Sequence, residues 1–191
     1  MDAIALLKAD HAEVEKLFKR FEGLGPRADK TRLDIAKKVI TALSQHAVIE
    51  EQVLYPAARE KLPDDEDLLL EALEEHHVVK WVLSEIDRMT PDDERFKAKF
   101  VVMAESVRHH VEEEEGELFP KLRKAFTKRE LTDLGEALAE AKKAAPTKPH
   151  PRSPDEPPGN LIAAAATLPI DMARSAGETA VRNLSRAVTK R

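Results

Sequence analysis

The stretch His46–Pro56, HAVIEEQVLYP, is repeated as His110–Pro120, HVEEEEGELFP, 64 residues further along the chain. Both copies follow the pattern H-x-x-x-E-E-x-x-L, an aromatic residue and then proline. A histidine and a glutamate four residues apart lie on the same face of an α-helix. Each copy therefore predicts half of a metal site, which two such faces would complete inside a helical bundle.

The repeat extends beyond these two stretches. His11 in ADHAEV and His76 in EEHHVV are 65 residues apart, close to the offset of the longer motif. The chain thus contains two repeat units of two helices each. Each unit supplies a histidine from its first helix and the H-x-x-x-E motif from its second. Together they predict six metal ligands: His11, His46, Glu50, His76, His110 and Glu114.

The composition of the 191 residues favours a helical protein. Hydrophobic residues make up 42% and charged residues 35%, and the aromatic content of 4% argues against a β-sandwich. The chain has no cysteine, which excludes disulfides, iron–sulfur clusters and thiol catalysis. The net charge is −5 although residues 161–191 are basic, so we expect no nucleic-acid binding at the acidic bundle. The sequence shows no secretory leader and no membrane-spanning run, and we expect a cytoplasmic location.

Apolar residues alternate at three- and four-residue spacings along four segments, which predicts four packed helices. Their expected extents are Asp2–Glu22, 28–61, a segment from 64–67 to Met89, and a segment that opens at Thr90-Pro91 and passes Pro120. Pro56 and Pro120 fall inside the pattern and predict kinks. Short connections make successive helices antiparallel, so the predicted fold is all-α, an up-down-up-down four-helix bundle.

The rest of the chain divides into three further parts. The bundle is assigned to residues 1–126, and the capping box Thr127–Glu130 opens a short fifth helix at 127–145. Six prolines between residues 146 and 159 mark a linker at 146–160, which we expect to be extended and mobile. Residues 161–191 form a basic, alanine-rich C-terminal extension that is either weakly helical or disordered.

The helical spacing sorts the seven histidines. The four histidines among the predicted ligands occupy helix positions that face the core. His77 and His109 lie one residue away from such positions, and His150 lies in the linker. A single inward histidine is most often an ordinary hydrogen-bonded core residue. Burying four histidines and two glutamates in one layer without partners would lower the free energy of unfolding by several kcal/mol for each residue, which favours a metal centre. Glu51 and Glu115 either accept hydrogen bonds from the ligands or lie at the surface.

Imidazole and carboxylate ligands without thiolate suit iron, manganese or zinc. Two carboxylates that can each bridge favour a centre of two metal ions. Ferritin-like bundles carry Glu-x-x-His, with a spacing of three residues, whereas this chain has His-x-x-x-Glu. The order and spacing of the ligands therefore argue against a ferritin-like centre.

The chain resembles the hemerythrin-like HHE cation-binding domain family over about residues 1–123. The resemblance rests on ADHAEVEKLF around His11, on EEHHVVKWVL around His76 and on the two H-x-x-x-E motifs. It implies a non-haem centre of two iron ions, oxo- or hydroxo-bridged. Members of the family that carry O₂ have a further histidine where this chain has Lys80, and they space the last histidine and carboxylate by five residues. Glu15, Tyr55, His77 or solvent could complete the coordination.

Two functions follow from these expectations. The first is a di-iron protein that binds or reacts with O₂, peroxide or nitric oxide in a redox or stress response. The second is an iron-binding protein that stores, senses or delivers iron without turnover. A third role, contact of the basic extension with a partner or a membrane surface, is independent of the centre.

Overall fold

The computed structural model describes residues 1–154, which form helices joined by turns. Seven α-helices are present in this range: α1 (Ala3–Glu22), α2 (Asp29–Ile49), α3 (Tyr55–Lys61), α4 (Glu66–Ile86), α5 (Phe96–Glu113), α6 (Phe119–Ala125) and α7 (Lys128–Ala144). A π-helical turn, Glu50–Leu54, joins α2 to α3, and a second, Glu114–Leu118, joins α5 to α6. A short 3₁₀ turn, Pro63–Asp65, precedes α4.

These helices form the predicted four-helix bundle. α1 packs against α2, and α4 packs against α5, while α1 also contacts α5 and α2 contacts α4. The first and third helices of the bundle are α1 and α4, and the second and fourth are α2 and α5 with their continuations. The all-α architecture and the additional helix α7 match the sequence prediction.

Two predicted helix starts are confirmed by their caps. The carboxylate of Asp2 accepts a hydrogen bond from the backbone N–H of Ala5 at 2.7 Å, at the beginning of α1. Thr127 and Glu130 exchange the two bonds of a capping box, at 2.7 and 3.2 Å. Each cap satisfies backbone donors that the first helical turn leaves without a partner.

Each predicted kink takes the form of a π-helical turn that ends before the proline. Pro56 has no N–H to donate to the carbonyl four residues earlier, which breaks the α-helical ladder at that point. The N–H of Tyr55 instead bonds to the carbonyl of Glu50, and that of Phe119 bonds to the carbonyl of Glu114. Both π turns therefore begin at a predicted ligand, and such turns are frequent at functional sites.

The fourth helix of the bundle begins later than expected. The sequence predicts a start at Pro91, whereas α5 begins at Phe96. The carboxylate of Asp93 accepts hydrogen bonds from the N–H and hydroxyl of Thr90, and the N–H of Phe96 bonds to the carbonyl of Asp93. The side chain of Asp93 thus stabilises a turn, which competes locally with the helix.

The buried apolar residues form two clusters, one toward each end of the bundle. The first includes Leu7, Ile49 and Leu73, and the second includes Val14, Leu43 and Leu83. Leu131 and Leu138 of α7 belong to the first cluster, so the fifth helix covers that end. Along each helix of the bundle, the predicted ligands lie between residues of the first cluster and residues of the second.

Residues 146–154 lie against the bundle, unlike the extended linker expected from their prolines. Lys148 Nζ is 2.7 Å from Asp87 Oδ1, and the guanidinium of Arg152 lies over the ring of Trp81. The rest of the predicted linker and the basic C-terminal extension lie outside the described residues. Among residues 1–154, no helix is both long enough and apolar enough to cross a membrane.

Candidate metal centre

The six predicted ligands are all buried and meet in one layer of the bundle. Each histidine exposes 5–7% of its surface, Glu114 exposes 2% and Glu50 none. His11 Nε2 lies 3.1 Å from His46 Nε2, and His76 Nε2 lies 3.1 Å from His110 Nε2. The structure therefore brings together every ligand expected from the repeat.

The ligand atoms form two groups that share one glutamate. The first group contains His11, His46, Glu50 and Glu114, and the second contains Glu50, His76 and His110. Within each group the atoms lie within 4.8 Å of one another. Oε2 of Glu50 is 3.1 Å from Nε2 of His46 and 3.4 Å from Nε2 of His76, so it faces both groups. Each repeat unit supplies the histidines of one group, and Glu50 connects the groups.

A carboxylate faces the outer ring nitrogen, Nδ1, of each of the four histidines. The Nδ1 distances are 2.9 Å from His11 to Glu115, 3.0 Å from His76 to Glu51 and 2.7 Å from His110 to Glu75. Asp10 is 3.6 Å from Nδ1 of His46, beyond hydrogen-bonding distance. Because a carboxylate accepts the proton of Nδ1–H, it directs the lone pair of Nε2 into the layer, as in many histidine metal sites.

The residues present fit a pair of metal ions. Both oxygens of Glu50 and one oxygen of Glu114 are buried without a hydrogen-bond partner. The facing Nε2 atoms of His76 and His110, 3.1 Å apart, either share a proton in a hydrogen bond or bind one cation together. Two nitrogens that bind one ion at about 2.0–2.1 Å, at a right angle to each other, are themselves about 3 Å apart. The unpaired oxygens and the facing nitrogens are therefore suited to bind cations.

The four carboxylates that face the Nδ1 atoms, here called the outer carboxylates, follow the internal repeat. They are Asp10, Glu51, Glu75 and Glu115, and the sequence motifs did not predict Asp10 and Glu75. Glu51 and Glu115 each follow a predicted glutamate ligand, and Asp10 and Glu75 each precede a predicted histidine ligand. Asp10 and Glu75 have the same 65-residue offset as His11 and His76, which is the signal that could have identified them. Asp10 faces His46, and Glu75 faces His110, in each case on the neighbouring helix of the same repeat unit.

Lysines contact three of the outer carboxylates. Lys80 Nζ lies 2.7 Å from Glu51, Lys8 Nζ lies 2.7 Å from Glu115, and Lys142 pairs with Asp10. Lys80 and Glu51 are both buried, whereas Lys8 is half exposed. Lys80 therefore contacts a carboxylate that lies 3.0 Å from Nδ1 of His76.

The further candidate ligands take different positions. Tyr55 is buried, and its hydroxyl donates to Glu114 Oε1 at 2.9 Å and lies 3.4 Å from His76 Nε2. Glu15 is bound by Arg108 at 2.9 Å, and His77 accepts a hydrogen bond from the indole of Trp81 at 3.0 Å. Tyr55 therefore contacts two of the predicted ligands, Glu114 and His76.

Burial and the neighbouring Glu114 carboxylate raise the pKa of Glu50 well above its usual range. Burial disfavours the charged form of a carboxyl group, and the nearby negative charge of a second carboxylate disfavours it further. Burial and Glu114 likewise raise the pKa of Tyr55 well above its usual range. At neutral pH, Tyr55 is therefore a neutral phenol that can donate its proton to Glu114.

A cavity of about 220 Å³ adjoins this layer. Its lining includes all four predicted histidine ligands, but neither Glu50, Glu114 nor Tyr55 lines it within the described part of the chain. Most of the remaining lining is aliphatic, with Val14, Leu43 and Leu83 among its members. The glutamates therefore lie away from the cavity, and the imidazoles face it.

Comparison with known proteins finds a relative with a similar sequence and a solved structure with a similar fold. An uncharacterized hemerythrin-like protein of Schizosaccharomyces pombe is 26% identical over 166 residues, which cover 86% of this chain and 81% of that protein. The crystal structure of a hemerythrin HHE cation binding domain-containing protein from Mycobacterium kansasii, a homolog of Rv2633c, has a similar fold. It superposes with a TM-score of 0.64 at 23% identity and covers 75% of this chain and 86% of that one.

The family profile described as the hemerythrin HHE cation binding domain matches residues 2–122. This range includes all six predicted ligands and the four outer carboxylates, and it covers most of the chain. The chain belongs to the hemerythrin HHE cation-binding domain family.

Proposed function

We propose that the centre holds two iron ions and that the protein binds or reacts with O₂, peroxide or nitric oxide in a redox or stress response. The observation that carries this proposal is the position of Glu50, whose unpaired carboxylate faces both groups of ligand atoms. His11, His46 and Glu114 would hold one ion and His76 and His110 the other, and Glu50 belongs to both groups of ligand atoms. When bound, an iron pair supplies electron transfer and open coordination positions for a small ligand.

The surrounding residues control access to the centre. Because the four imidazoles and mostly aliphatic side chains line the cavity, it would give a small uncharged ligand a route to the centre. Glu50, Glu114 and Tyr55 do not belong to the lining of this cavity. A ligand would therefore approach from the imidazole side.

Tyr55 holds a proton close to the centre. Its hydroxyl donates to Glu114 Oε1, and its raised pKa keeps it protonated at neutral pH. This hydrogen bond fixes the orientation of the Glu114 carboxylate. It also places a proton donor 3.4 Å from His76 Nε2.

The ligand set supports a reactive or sensing centre over an O₂ carrier. Each group has two imidazoles, so the two ions would have the same number of histidine ligands. Lys80, at the position of the additional histidine in O₂ carriers, is bound to Glu51. Reversible O₂ carriage by two unequal ions would require a difference that these histidines do not provide.

The test is the spectral response of the iron-loaded full-length protein. Peroxide added to the oxidised protein, or nitric oxide added to the reduced protein, should change the visible absorption bands of the wild type. Glu50→Ala should abolish both the iron content and the response, whereas the control Glu60→Ala, at an exposed position of α3, should preserve them. Iron-loaded wild type without a response to either ligand would contradict the proposal.

One observation favours the alternative of iron storage, sensing or delivery without turnover. Glu75, His109 and Glu113 bring ligand atoms together at the surface, and Glu75 also contacts His110 of the buried layer. Such a group could pass an ion between solvent and the centre. Two bound iron ions that exchange rapidly with a chelator, together with an unchanged spectrum on adding peroxide or nitric oxide, would favour this second function.

A further inference from the structure

The cavity beside the histidines extends well beyond the predicted metal ligands. Its lining runs along α1 from His11 to Phe18 and along α4 from His76 to Leu83. Seven residues of an α-helix span about 10 Å. Ions held by the histidines would therefore lie at one end of the cavity and leave the aliphatic end open.

The volume of the cavity exceeds what a diatomic ligand needs. One water molecule takes about 30 Å³ of the liquid, and an apolar cavity of about 150 Å³ in another protein stays dry and binds benzene. The cavity here measures about 220 Å³. It has room for an aromatic ring beside the space that a peroxide or O₂ would take.

The charged side chains of the lining already have partners. Arg108 binds Glu15 at 2.9 Å and Glu22 at 2.8 Å, and Lys80 binds Glu51. Asp10 pairs with Lys142. An ionic ligand would have to break one of these pairs and lose its hydration, whereas an uncharged apolar ligand would only displace water or fill empty space.

We propose that this cavity is a binding site for one uncharged apolar molecule of about the size of benzene. The site lies between the predicted metal layer and the apolar cluster that contains Val14, Leu43 and Leu83. Its affinity comes from contact with aliphatic side chains, so binding does not require the metal. The proposal therefore goes beyond the proposed function and stands or falls separately from it.

Calorimetric titration of the full-length protein with benzene tests the site, before and after treatment with a chelator. We expect saturable binding of one molecule per chain in both states, and no binding of benzoate, which has the same ring with a negative charge. Val79→Phe places a phenyl ring in the lining and should weaken benzene binding about tenfold or more. The control Val78→Phe, at the adjacent position with 55% exposure, should bind like the wild type.

A crystal of the wild type exposed to xenon or benzene locates the ligand without any substitution. Density beside Val79, Leu83 and Val107 supports the proposal, and this measurement stands even if Val79→Phe fails to fold. The proposal is overturned if the wild type shows no saturable binding, if Val79→Phe folds and binds benzene as tightly as the wild type, or if the ligand lies elsewhere. Benzoate binding as tight as that of benzene would also overturn it.

Discussion

Lys80 Nζ lies 2.7 Å from one oxygen of the Glu51 carboxylate and 2.8 Å from the other, and both residues are buried. The same carboxylate is 3.0 Å from Nδ1 of His76. A lysine, a glutamate and a predicted metal ligand therefore form one chain of contacts across α4 and the first π turn. We therefore expect Lys80 to influence the predicted centre through its contact with Glu51.

Replacing Lys80 by methionine should lower the stability of the metal-free protein. The substitution removes the buried cation that contacts Glu51, and breaking a buried ion pair from one side costs about 3–5 kcal/mol. Urea denaturation measures the free energy of unfolding. The double variant Lys80→Met/Glu51→Leu should recover most of the loss, because it removes the charge that the lysine stabilises. A single variant as stable as the wild type would refute this role.

Glu75→Ala should weaken metal binding about 10- to 100-fold, because His110 loses the carboxylate that fixes its orientation. Competition with a chromophoric chelator measures the affinity. The control is Glu74→Ala, the adjacent and exposed position of α4, which should bind metal like the wild type. Equal affinities of the two variants would show that the contact of Glu75 with His110 is incidental.

Glu50→Leu should separate stability from metal binding. In the metal-free protein the Glu50 side chain is fully buried with no hydrogen-bond partner, so its replacement by leucine should raise the free energy of unfolding by about 1–3 kcal/mol. The same variant should lose metal, because both groups of ligand atoms contain Glu50. Urea denaturation and metal analysis give the two results. A loss of metal-free stability would instead identify Glu50 as an ordinary structural residue.

Gly135 of α7 allows the fifth helix to approach the N-terminus closely. A Cβ at this position would lie 2.3 Å from the backbone oxygen of Met1 and 2.8 Å from the nitrogen of Ala3. Gly135→Ala should therefore lower the free energy of unfolding by about 1–3 kcal/mol, the usual cost of overpacking. Gly116→Ala is the control, since nothing lies within 4 Å of its added carbon. Equal thermal stability of the two variants would contradict the close packing of α7.

The sequence predicted the bundle and its six central side chains because both depend on regular spacing. His11, His46, His76 and His110 occupy inward helical positions, and inward positions of a bundle can be counted along the chain. The two copies of the H-x-x-x-E motif then identified Glu50 and Glu114 as the two glutamates of the same layer. These features require only the helical period and the short connections.

Other features depend on contacts that the spacing does not contain. Asp10 and Glu75 are two among 36 acidic residues, and their contacts with histidines on a neighbouring helix appear only once the helices are packed. The prolines predicted a disturbance, but the π turn depends on which carbonyl accepts the N–H of Tyr55. The packing of residues 146–154 depends on single contacts such as Lys148 with Asp87, which have no periodic pattern.

The most direct test of the metal centre is the metal content of full-length protein purified without added metal. We predict two iron ions per chain by mass spectrometry of the elements, and a loss of both in Glu50→Leu. Retention of iron by that variant, or a wild type that contains zinc, another metal or none in place of iron, would contradict the proposed di-iron centre.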